Sequence, residues 1–158
     1  QVYVGTPFSQ RWIQNMSEDF VQLMYLSNSK PELKQSDLDA ILEVSRRNNP
    51  SRGITGLLVF ANGVFIQVLE GPTTEVHNLF ETICDDSRHE AVAIIAEYLD
   101  QERLFSKWSM AFIQSTFDEL TKITDTPKML NRDDVLELLS NDKTKAARFL
   151  KDFATYVD

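Results

Sequence analysis

One residue in "GVFIQVLEG" (Gly63 to Gly71) does not match its neighbours: Gln67, a primary amide within an apolar run. At a period of two, Phe65, Gln67 and Leu69 share one side and Val64, Ile66 and Val68 the other; both sides are mostly apolar, so both must be covered. Burying an unpaired amide costs about 1–3 kcal/mol, so Gln67 needs a partner. Tyr25 is the candidate, because its phenol also sits mid-strand among apolar residues and can both donate and accept. Taken alone, the pair also fits two satisfied polar residues of a core.

Other groups could do chemistry nearby. "SRRNNPSRG" places Asn48 and Asn49 at a helix end, where short amides usually cap backbone groups. The same two side chains offer donors and acceptors suited to the imide edge of a planar heterocycle. Ile41 and Ile83 lie on helical stripes facing a sheet, as core residues or as two aliphatic grips on a flat ring. Asp85, Asp86, Arg88 and His89 cluster at the end of the second helix, as a solvated loop or as a contact for a ribityl or phosphate group. No G-x-S-x-G, P-loop or dinucleotide glycine fingerprint is present, and the carboxylates form no evident acid–base pair, so no enzymatic activity is expected.

Composition narrows the classes further. The single cysteine, Cys84, excludes an intrachain disulfide and a multi-thiolate metal site, and two histidines make a poor zinc case. Sixteen basic against 24 acidic residues give a net charge of −8, which disfavours nucleic-acid binding. No apolar run approaches the roughly 20 residues of a membrane span, and the start lacks a signal-peptide pattern; no membrane association and a cytoplasmic location are expected.

These side chains need elements to hold them. Val21–Ser27 alternates as a first strand. Ser36, with Asp39 behind it, caps a helix whose stripe is Leu38, Ile41, Leu42 and Ser45 and which Pro50 and Gly53 stop. "ITGLLVFANGVFIQVLEG" is two strands joined by Asn62-Gly63, a hairpin signal. Pro72 and Thr73/Thr74 open a second helix with Val76, Leu79, Phe80 and Ile83 at i, i+3, i+4, i+7. Ala91–Leu99 and Trp108–Gln114 are further strands. The order β-α-β-β-α-β-β is that of an α+β, ferredoxin-like sandwich with both helices on one sheet face. Beyond it, Asn131 with Asp134 caps one C-terminal helix, and Asn141 another carrying Ala146, Leu150, Phe153 and Val157. These helices shield the second face or serve an oligomer contact. The domains are thus an extension over 1–20 of unassigned role, containing Phe8 and Trp12, a sandwich over 21–115, and a helical cap over 116–158.

Five ordered blocks, "LMYLSNS", "RRNNPSRGITGLLVF", "FIQVLEG", "DDSRHEAV" and "FSKWSMAFI", make the chain resemble the BLUF family of flavin-using blue-light sensors over about Gln22 to Gln114. The resemblance implies a flavin cofactor, FAD with FMN or riboflavin as options. It implies that Tyr25 gives an electron, coupled to a proton, to the excited flavin, and that Gln67 lies between that phenol and the flavin N5 and C4 carbonyl. Rotation or tautomerisation of the Gln67 amide, which exchanges its donor and acceptor ends without moving the backbone, would follow, and recombination would leave a new hydrogen bond and a red-shifted absorption. Asn49 would hold the C4 carbonyl and N3–H edge, with Asn48 near the C2 side. Ile41 and Ile83 would flank the ring, Ser45 would lie close to it, and Asp86, Arg88 and His89 would face its pyrimidine or ribityl side. Trp108 and Met110 would be strand-five residues that shift as the signal leaves. Thr82 stands where some relatives carry a basic or imidazole side chain. The roughly 44 residues after Gln114 are too few for an appended cyclase or phosphodiesterase, so output is expected through a downstream signalling protein or a homo-oligomer. The alternative is a flavin-free ferredoxin-like interaction or ligand-sensing module.

Overall fold

The computed structural model describes residues 19–157 except 100, 101, 125, 127, 130, 141 and 142. The extension up to residue 18, with Phe8 and Trp12, and the expected Asn141 cap lie outside the described residues. The elements run β1 (Phe20–Ser29), α1 (Gln35–Arg52), β2 (Thr55–Ala61), β3 (Val64–Pro72), α2 (Thr73–Asp85), β4 (His89–Leu99), β5 (Ala111–Ser115), α3 (Phe117–Ile123), α4 (Arg132–Ser140) and α5 (Lys143–Val157).

The five strands form one sheet in the order β4-β1-β3-β2-β5, antiparallel except for the parallel β2–β5 pair. Asn62 and Gly63 both have positive φ, 51° and 77°, as a tight two-residue hairpin turn requires. In β3, the central strand, alternation divides the side chains between two cores. Phe65 and Leu69 join Val21, Leu23, Tyr25, Leu38, Leu42 and Val76 beneath α1 and α2. Val64, Ile66 and Val68 join Met24, Leu26, Leu57, Val59 and residues of the C-terminal helices, including Leu120, Val135, Leu139, Phe149 and Phe153. The second face is thus covered by the chain's own α3, α4 and α5. The Asn131 cap forms as expected: Asn131 Oδ1 accepts from the Asp134 amide at 3.0 Å, and Asp134 Oδ2 accepts from the Asn131 amide at 3.1 Å.

Three boundaries differ from the sequence expectation. Ser36 lies inside α1; Asp37 makes the capping contact by accepting from the Lys34 amide at 2.8 Å. Pro50 does not stop α1 but sits in its last turn, where its fixed φ is already helical, and the helix ends at Gly53 in the left-handed region, φ 68°. Trp108 and Met110 are not strand residues. The backbone carbonyls of Trp108, Ser109 and Met110 are taken by the Gly56 amide, Asn49 Nδ2 and Arg46 Nε, so a regular ladder begins only at Ala111.

Candidate functional site

Tyr25 and Gln67 are directly opposite each other in the antiparallel β1–β3 pair, so their side chains emerge on the same face within bonding reach. Tyr25 is fully buried and Gln67 is 4% exposed. The phenol donates to Gln67 Oε1. The other end of the amide, Nε2, donates to Met110 Sδ at 3.4 Å, and a thioether is a weak acceptor. Gln67 is therefore held firmly by its oxygen and loosely by its nitrogen. Burial, with smaller contributions from Cys84 and Asp86, pushes the Tyr25 phenol far above its ordinary range. It remains a neutral donor across the physiological range, and any loss of its proton must be matched by an acceptor at hand.

A narrow cleft of about 120 Å³ opens above this pair between the two sheet-facing helices. One wall is α1, presenting Ile41, Val44 and Ser45; the other is α2, presenting Leu79, Thr82 and Ile83; Tyr25, Gln67 and Leu58 of the sheet form the floor. Each wall repeats at i, i+3, i+4, which sets its side chains in one row along the helix. Asp86, Arg88 and His89 lie at one end. There Arg88 Nε donates to Asp86 Oδ1 at 2.9 Å, and this hydrogen bond holds the Asp86 carboxyl below its usual range despite partial burial. His89 Nδ1 lies 2.8 Å from Ser27 Oγ, its ring centroid 4.5 Å from that of Phe65. Burial depresses its protonation, outweighing the opposing pull of Asp86.

Of the residues singled out from the sequence, Tyr25, Gln67, Ile41, Ser45, Ile83, Asp86, Arg88 and His89 converge on this cleft. Met110 meets it through Gln67. Asp85, Asn48, Asn49 and Trp108 do not line it; Asp85 is the exposed last residue of α2. Asn48 is exposed. Asn49 is 1% exposed but donates to the Ser109 carbonyl at 2.8 Å, because Gly53 ends α1 so that Asn49 lies against the 108–110 segment. Trp108 is 40% exposed, its backbone tied to Gly56 while its side chain turns outward. The sequence reading assigned no role to Val44 or Leu58, although Val44 follows Ile41 at helical spacing and could have been found from it.

Flat apolar walls, a polar floor and a polar end suit a planar heterocycle edged by hydrogen-bonding groups. The nitrogen end of Gln67, buried and among the described residues met by the Met110 sulfur, supplies a donor that such a ring could use. These residues fit a flavin.

Residues 20–111 match the family model described as BLUF, sensors of blue-light using FAD. A subunit beta of photoactivated adenylate cyclase from Euglena gracilis is 38% identical over 89 residues, 56% of this chain and 10% of that protein. The chain therefore spans about a tenth of the length of this curated relative. Among solved structures, "BlrB - a BLUF protein, dark state structure" is similar with a TM-score of 0.72 at 26% identity, covering 89% of this chain and 98% of that one. "BlsA photo-activated state" is similar with a TM-score of 0.73 at 28% identity, covering 85% and 94%.

Proposed function

The chain belongs to the BLUF family of blue-light sensors, and on that premise we propose that its cleft holds the ring of FAD and that Tyr25, Gln67 and Met110 are the switch. Bound flavin supplies the blue absorption and, once excited, an acceptor for one electron. Tyr25 is the donor, and its proton goes to Gln67 Oε1, its hydrogen-bond partner in this structure. Gln67 then reverses. Its nitrogen end leaves a weak thioether partner and its two ends exchange neighbours, which changes the hydrogen bonding at the floor of the cleft. The phenol regains both its electron and its proton, so the cycle leaves no net chemical change.

Ile41 and Ile83 grip the ring from the two helices, with Ser45 beside it; Asp86, Arg88 and His89 face its polar end. Asn49, which binds the Ser109 carbonyl outside the cleft lining, and the exposed Asn48 would meet the ring edge only by turning toward it. Because these groups address the ring, FMN or riboflavin would enter by the same contacts. Met110 moves with Gln67 and passes the change through β5, with Trp108 on the same segment, to α3–α5, and thence to a separate signalling protein or a second copy of the chain.

The observation that carries this reading is the asymmetry of Gln67, its oxygen on a buried phenol and its nitrogen on a sulfur. Purified protein supplied with FAD should turn yellow and show a reversible red shift in its blue-light-minus-dark spectrum. A protein that takes up no flavin would support the flavin-free interaction module instead.

A further inference from the structure

Three residues along β3 from Gln67 and on the opposite side of the sheet, a charged side chain is buried just as deeply. Glu70 is 2% exposed, and its two oxygens are filled by four donors. Oε2 accepts from Gln22 Nε2 at 3.0 Å and from the Leu104 amide at 2.9 Å; Oε1 accepts from Thr55 Oγ1 at 2.9 Å and from the Phe105 amide at 2.7 Å. A carboxylate is the side chain with two acceptor oxygens and no hydrogen to conflict with those donors. Arg103 reinforces the same place, donating to the Gly53 carbonyl at 2.7 Å and to Thr55 Oγ1 at 2.8 Å.

The segment fixed in this way runs between the two cores. At its start the Phe105 side chain lies in the core shared with the C-terminal helices; at its end Met110 lies in the core of the cleft face. Its far end is fastened separately, with the Trp108, Ser109 and Met110 carbonyls bound from β2 and α1. Between these points, residues from Leu104 to Trp108 share a groove with Ala154 and Val157 at the end of α5.

We propose that Glu70 is a positioning residue for signalling: by holding the Leu104 and Phe105 amides it makes 103–110 one body, so that a shift of Met110 beside Gln67 is felt by Phe105 and the end of α5. Without it, the near end of the segment loosens and the shift is absorbed locally. This rests on the photosensory reading above. A carboxylate of merely structural use would lower stability while leaving the light response of α5 tied to that of the cleft.

The test uses the full chain loaded with FAD, comparing wild type with Glu70→Gln by absorption difference spectra and by amide exchange in darkness and under blue light. In Glu70→Gln an NH2 group faces a donor. The variant should keep the yellow colour and the red shift. Exchange at Leu104 and Phe105 in the dark should rise several-fold, up to about tenfold, the ratio for one lost hydrogen bond. The light-dark difference that wild type shows over 154–157 should largely disappear. Thr55→Val, which removes one donor to Glu70 and one acceptor for Arg103, should move each quantity the same way by less, and serves if Glu70→Gln does not fold. The proposal is overturned by wild-type exchange at Leu104 and Phe105 in the variants, by a full α5 response despite faster exchange, or by a wild type that shifts red with no α5 response. A wild type that does not shift red overturns the photosensory reading instead, and dark exchange at Leu104 and Phe105 still reports whether Glu70 holds the loop.

Discussion

Removing the hydroxyl in Tyr25→Phe strips Gln67 Oε1 of its donor in a place that solvent does not reach, since the two residues are 0% and 4% exposed. One buried acceptor left unsatisfied costs about 1–3 kcal/mol, which for a chain of this size lowers Tm by about 2–4 °C per kcal/mol. Gln67→Leu orphans the other partner, the buried phenol, and should lose a similar amount. The double variant Tyr25→Phe/Gln67→Leu leaves neither group stranded. Its loss should therefore fall short of the sum of the single losses by about 0.5–3 kcal/mol, the range for residues in direct contact. Urea melts of the four proteins give this coupling, and difference spectra of the same flavin-loaded samples give the function. Both single variants should bind flavin and fail to show the reversible red shift. Additive losses within about 0.3 kcal/mol would refute the pairing, and a normal red shift in Tyr25→Phe would refute its role as the electron and proton donor.

Met110→Ala deletes the thioether acceptor of Gln67 Nε2 and opens a void where the side chain is 1% exposed; it should cost about 2–5 kcal/mol and abolish the light-induced change in exchange of the C-terminal helices. Burial depresses His89 protonation in the fold, so the neutral ring is favoured there. The stability this brings is complete above the ordinary histidine value of about 6.5 and is lost as pH falls from there through the depressed value. Melts of wild type should accordingly weaken on acidification across that window, and His89→Gln should flatten the dependence. A Cβ at Gly56 would lie 2.1 Å from the Val68 carbonyl oxygen and 3.4 Å from the Met110 methyl; Gly56→Ala should force β2 and β3 apart beside the switch, seen as a large fall in melting temperature and in flavin uptake.

What the sequence by itself determined about this protein follows from periodicity, which is local. Alternation along β1 and β3 put Tyr25 and Gln67 on one face, Asn62-Gly63 made the hairpin, and i, i+3, i+4 spacing set Ile41 and Ile83 on sheet-facing stripes, enough for the ferredoxin-like order and the two-sided core. The same alternation puts Glu70 with Val68 and Ile66 as a charge turned inward, although its partners, Leu104 and Phe105, lie 34 and 35 positions away. Tertiary structure alone decided such pairings. Whether 108–110 joined a strand depended on which distant donors reached its carbonyls, and Asn49, Arg46 and Gly56 reached them first. Asn49 thereby faces Ser109, and Trp108 turns outward. Hydrogen-bond partners are chosen by proximity in the folded chain, which a repeat of two or 3.6 residues along the sequence does not encode.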